Sequence, residues 1–83
     1  MHIEEALVLL DDRLRRNEEP RALLLRSTAR FLLGELEPGE KDLRRALELD
    51  PSQRQGWLNL AALELASVHY DAAYQAFLRA ETL

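Results

Sequence analysis

Ala46-Leu47-Glu48-Leu49-Asp50-Pro51 decides the fold. It reads as the last turns of a helix stopped by Pro51, which lacks the N–H that a continuing helix needs. Asp50, the residue before the proline, is biased out of the helical region. At a spacing of 34 residues the pattern returns. Leu24 matches Leu58, Leu43 matches Phe77, Arg45 matches Arg79, Ala46 matches Ala80 and Leu49 matches Leu83. A period of that length, built from two helices, is the signature of a helical repeat array.

Working outward, residues 2 to 16 read as a first helix, with Ile3, Ala6, Leu7, Leu10 and Leu14 on one apolar stripe. Asn17-Glu18-Glu19 breaks it. Pro20 suits the first turn of a second helix that runs to Leu33, with Gly34 as its stop. Pro38 at the first helical position starts a third helix, to Leu49. A fourth is expected over residues 54 to 67. After the turn Val68-His69-Tyr70, a fifth is expected from an Asp71 N-cap to Thr82. No segment alternates with period two, so no strand is expected. The expected fold is all-α, a single domain over 1–83.

Several residues carry a family resemblance. Trp57, Leu60, Ala61, Ala73, Phe77 and Ala80 stand where the tetratricopeptide pattern has Trp, Leu, Gly or Ala, Ala, Phe and Ala. The preceding repeat fits at Leu23, Ser27, Leu43, Ala46 and Pro51, with Gly39 in place of the usual Ala and Arg30 where Tyr is common. Residues 2–16 resemble the second helix of an earlier repeat. The resemblance covers nearly the whole chain: a half repeat (2–16) and two repeats (20–53 and 54–83). It implies five antiparallel helices in a short right-handed solenoid that binds a protein partner, with motif residues that pack rather than catalyse.

The residues agree on their own terms. Small Ala61, Ala73 and Ala80 let two helices approach, with Trp57 and Phe77 expected to fill the space between them. The expected core is Leu10, Leu23, Leu43, Trp57, Leu60 and Phe77. Trp57, Leu60 and Ala61 share one face of the fourth helix, while Leu58, Ala62 and Leu65 form a second, so the helix must pack on two sides.

Composition excludes several function classes. Fifteen acidic against eleven basic residues leave a net charge of −4, against general nucleic-acid or anionic-membrane binding, which needs clustered positive charge. Many arginines have an acid one turn away, as in Glu40–Arg44. Without cysteine there is no disulfide framework and no thiolate chemistry. His2 and His69 lie far apart with no second His or Cys nearby, too few ligands for a metal. Ser67-Val68-His69 lacks the orienting acid and strand-to-helix elbow of a hydrolase nucleophile. No glycine-rich phosphate loop is present. No catalytic residue and no cofactor is therefore assigned. The start Met1-His2-Ile3-Glu4-Glu5 is acidic where a signal peptide is basic, and no apolar run reaches membrane-span length. A cytoplasmic location is expected. Arg, Leu and Ala usage with one lysine, Lys41, hints at a GC-rich bacterial genome.

By resemblance, ligand-facing positions are Arg21, Leu24, Leu25, Thr28, Phe31 and Leu32 on the second helix and Gln55, Leu58, Asn59, Ala62 and Leu65 on the fourth. Family members that clamp a chaperone's C-terminal carboxylate use Lys, Asn and Arg on that surface. Of those positions only Asn59 matches here. The surface suits a helix or extended segment with aliphatic anchors; the equal alternative is that the first helix or a second copy of the chain covers part of it. The expected partner-binding set is Arg21, Leu24, Thr28, Phe31, Gln55, Leu58, Asn59, Ala62 and Leu65, with Phe31 as hot spot. The competing expectation is a structural or self-assembling segment of a longer array. Tyr74, Leu78 and Leu83 would then form an exposed strip for weak self-association through the last helix, or the natural chain would continue beyond Leu83.

Overall fold

The computed structural model describes residues 2–83. Among them are five α-helices and no strand: α1 (Ile3–Arg16), α2 (Pro20–Leu32), α3 (Leu36–Leu49), α4 (Arg54–Ala66) and α5 (Tyr70–Glu81). The fold is all-α. The chain divides into two compact units, one ending at Leu49 and the other spanning Asp50–Leu83. In the first, α1 packs on α2 and α2 on α3; in the second, α4 packs on α5.

Three starts differ from expectation, that of α1 by a single residue. α3 begins at Leu36, two residues before Pro38. The first turn needs no N–H from Pro38, because the first four N–H groups of a helix have no partner within it. Gly39 N–H then donates to the Glu35 carbonyl. α5 is preceded by His69 rather than by an Asp71 N-cap, and Asp71 lies in the first turn, where an acid still complements the helix dipole.

α2 and α4 end in the same turn. After α2, Gly34 takes φ +80°, Gly34 N–H donates to the Phe31 carbonyl and Glu35 N–H to that of Arg30. After α4, Val68 takes φ +63°, Val68 N–H donates to the Leu65 carbonyl and His69 N–H to that of Glu64. This is the Schellman arrangement. Glycine accepts the left-handed residue freely, whereas valine there is strained.

The buried apolar residues are Ala22, Leu23, Leu43, Ala46 and Leu47 in the first unit and Leu60, Ala73, Ala76 and Ala80 in the second. Alanines at Ala73, Ala76 and Ala80 form the face of α5 that α4 covers. Phe77 departs from its expected core position: it is 44% exposed. It lies beside Tyr70 and Tyr74 at spacings of seven and three residues, on the face of α5 adjoining the alanine stripe. Leu10 and Trp57 are half-buried. Trp57 keeps its indole N–H satisfied on the Pro51 carbonyl at 2.7 Å, and the Arg79 guanidinium sits 5.3 Å above its ring.

Candidate functional site

A groove of about 400 Å³ runs between α1 and α2. Ile3, Ala6, Leu9 and Leu10 form one wall, and Leu25, Thr28, Ala29 and Leu32 the other. Ala6 and Ala29 are half-buried, while Leu9 is 73% and Leu32 69% exposed. Small residues thus form the floor and leucines the rims. Thr28 is the single polar residue, and its hydroxyl donates back to the Leu24 carbonyl at 3.2 Å. The surface offers a ligand shape and apolar contact but few directional bonds.

An ionic cluster joins the three helices of the first unit. Asp42, on the buried face of α3, accepts from Arg26 Nε at 2.8 Å, Arg26 Nη2 at 2.9 Å and Arg30 Nη1 at 2.8 Å. Arg26 Nη1 also donates to Asp11 of α1 at 2.9 Å. Hydrogen bonding to Asp42 holds the Arg26 guanidinium above its ordinary range. Such a forked, charge-assisted pair fixes orientation as well as distance. A recess of about 360 Å³ lined in part by Asp11, Arg15, Arg26 and Arg30 lies over this cluster. Its arginines are already bonded to Asp11, Asp12 and Asp42. It is compensated rather than open to an anion.

The sequence-predicted residues are distributed along α2 and α4. On α2, Arg21 is exposed, makes no ion pair among the described residues, and continues the stripe Leu25–Thr28–Leu32. Leu24 is half-buried, and its carbonyl accepts from both Ser27 and Thr28. Phe31 is half-buried against α3: a Cβ at Gly39 would meet its ring at 2.8 Å. The missing methyl at position 39 is therefore where the ring sits. On α4, Gln55 Nε2 donates to Asn59 Oδ1 at 2.8 Å. Leu58 and Asn59 are half-buried, and Ala62 and Leu65 exposed. In the second unit, Trp57, Leu60, Ala72, Gln75, Ala76, Leu78 and Arg79 line a recess of about 430 Å³.

Sequence reasoning named Leu25, Thr28 and Leu32 and weighed the first helix as a cover over part of that surface, but assigned no α1 residue to a facing wall. It also missed Asp42, Arg26 and Asp11 as a unit, because their partners stand 15 and 16 residues away rather than one turn. One signal was available: Asp42 lies in the stripe Gly39–Asp42–Leu43–Ala46, and an acid on an apolar face demands a partner.

The described residues hold no group of His, Asp or Glu that could bind a metal. Among them no helix is long and apolar enough to cross a membrane. No family model matches the chain, and no curated protein or solved structure matches it either.

Proposed function

We propose that this chain is a protein–protein interaction module of the tetratricopeptide kind, taking a partner helix or extended segment through apolar anchors. The observation that carries this is the α1–α2 groove, aliphatic on both walls, with Arg21 in line at the start of α2 to meet an acidic group on the ligand. Apolar anchors supply affinity and a few polar groups set orientation. The α2 and α4 positions named from the sequence belong to the same proposal, as partner-contacting positions on their own helices. No catalysis, cofactor, nucleic-acid or membrane role is assigned to this cytoplasmic module. Many of the arginines are paired with neighbouring acids, as in Arg13–Glu19 and Arg45–Glu18, which speaks against a nucleic-acid surface.

The test is co-purification from the native host, identification of the partner, and titration against wild type and Leu25→Glu/Leu32→Glu. Loss of affinity with unchanged circular dichroism is expected; unchanged affinity in the variant moves the site elsewhere. A second reading, a structural segment of a longer helical array, is favoured by the exposed Tyr70, Tyr74, Phe77 and Leu78 on α5.

A further inference from the structure

We propose that the occupant of the α1–α2 groove is α1 of a second copy of this chain, laid antiparallel about a two-fold axis near Leu9. The inference rests on the groove being a binding surface, as above, and names its partner.

Three observations carry it. First, α1 is held to its own unit with none of its residues fully buried, and Val8 and Leu9 stand largely in solvent. Its outer face is thus an unpaired aliphatic ridge beside an aliphatic groove on the same surface. A two-fold interface requires this: one patch must contain both the ridge and the slot that receives it.

Second, the charge along α1 is polarised. Its first turn carries Glu4 and Glu5, and its last turn Arg13, Arg15 and Arg16. An antiparallel copy sets acids against bases at both ends at once, whereas a parallel copy sets like against like. With Leu9 at the axis, position 5 of one copy falls opposite position 13 of the other. Arg13, Arg15 and Arg16 are paired with Glu19 and Asp12 of their own copy, which leaves Arg21, at the same end, as the base open to the second copy.

Third, the acids are available. Glu4 and Glu5 make no ion pair among the described residues, and neither does Arg21. By contrast, Arg13 is engaged by both oxygens of Glu19, at 2.8 and 3.1 Å. The free acids at one end of the surface and the free base at the other complement each other only between copies.

The experiment is sedimentation equilibrium of the full chain across the micromolar range, at low and high salt. Wild type is expected to show a monomer–dimer equilibrium that weakens with salt. Leu9→Glu is expected to weaken it at least about tenfold with helicity kept, since that side chain is not needed for the fold. Glu4→Arg/Glu5→Arg and Arg21→Glu should each weaken the dimer, and their equimolar mixture should restore it, because both charge contacts re-form in the mixed pair. A strict monomer at every concentration overturns the inference. So does a dimer that survives Leu9→Glu but is lost in Tyr74→Glu, which would place the contact on α5. If the chain is monomeric while Leu25→Glu/Leu32→Glu still loses the co-purified partner, the dimer is overturned and the interaction-module reading stands. If Leu9→Glu and Leu25→Glu/Leu32→Glu leave both self-association and partner unchanged, both are overturned.

Discussion

In the α2–α3 hairpin, Asp42 is 5% exposed and gripped by Arg26 and Arg30. At the same positions one repeat on, the α4–α5 hairpin has Ala76 in place of Asp42, Leu60 in place of Arg26 and Glu64 in place of Arg30. Ala76 and Leu60 are buried. One frame is thus closed by two chemistries: a forked ion pair in the first hairpin and plain apolar contact in the second. The apolar solution need not be the weaker, because desolvating two charges offsets much of their attraction. What the ionic solution adds is reach. Arg26 extends past α3's carboxylate to Asp11, and so ties down an α1 that has no fully buried residue of its own.

The widest separation is expected at the position occupied by Leu43 in the first hairpin and Phe77 in the second. Leu43 is fully buried and Phe77 is not. Leu43→Ala should therefore cost about 3 kcal/mol, within the range for aliphatic truncation in a core. Phe77→Ala should cost only about 1 kcal/mol, because much of the ring already faces water. Chemical denaturation of the two variants checks the order. Equal losses would mean that the two hairpins bury this position alike.

A loss of about 3 kcal/mol is also expected for Asp42→Ala, which leaves two arginines facing a site that no longer answers them. Arg26→Leu/Asp42→Ala rebuilds the first hairpin with the residues of the second, and should cost less than the single change. A double variant as damaged as the single would show that the Asp11 contact, and not the Asp42 pair, carries the stability.

These residues also show what was legible in the sequence. The helix count, the apolar spacing and the 34-residue return were readable because they depend on local periodicity and on Pro20, Gly34 and Pro51. The burial of Asp42 was not, because its partners lie on α2, far along the chain. Phe77 misled for a related reason. Matching it to Leu43 assumed that equal sequence positions meet equal surroundings, and surroundings are a tertiary property. On the candidate site, Leu25, Thr28 and Leu32 were within reach of helical spacing. The opposite wall, from Ile3 to Leu10, required knowing how α1 lies against α2.

The turns after α2 and α4 allow a smaller test. Gly34 and Val68 occupy one repeat position and both adopt positive φ. A left-handed residue costs roughly 1–2 kcal/mol for a side chain bearing Cβ. Val68→Gly should therefore stabilise by up to about 1 kcal/mol, after the greater entropy of glycine in the unfolded chain is counted. Gly34→Val should destabilise by a similar amount. Thermal melts of the two reciprocal variants read it directly. If Val68→Gly lowers the melting temperature, valine contributes packing there that its 63% exposure does not suggest.

The smallest contrast concerns pH. In the first unit, the Glu18 carboxyl is held below its usual range by the Arg45 side-chain hydrogen bonds, and Glu19 likewise by Arg13. Glu18 and Arg45 are 27 residues apart, so this pair braces the α1–α2 connection against α3. In the second unit the comparable group is Asp50, held down by the hydroxyl and then the N–H of Ser52, within its own turn. A carboxyl whose folded pKa lies below its unfolded one adds stability above the unfolded value, near 4.3 for glutamate, and loses it as the pH falls through the folded value. All three groups are solvent-screened, so the effects are small. Glu18→Gln/Glu19→Gln should lower the melting temperature slightly at neutral pH, and the gap from wild type should close as the pH falls through the folded values, where the wild-type carboxylates become protonated too. Ser52→Ala should show the same convergence with a smaller gap, because it frees a turn rather than a long-range brace. The comparison fails if the gap for the glutamate variant persists in acid, since the two side chains would then be acting through shape and not through charge.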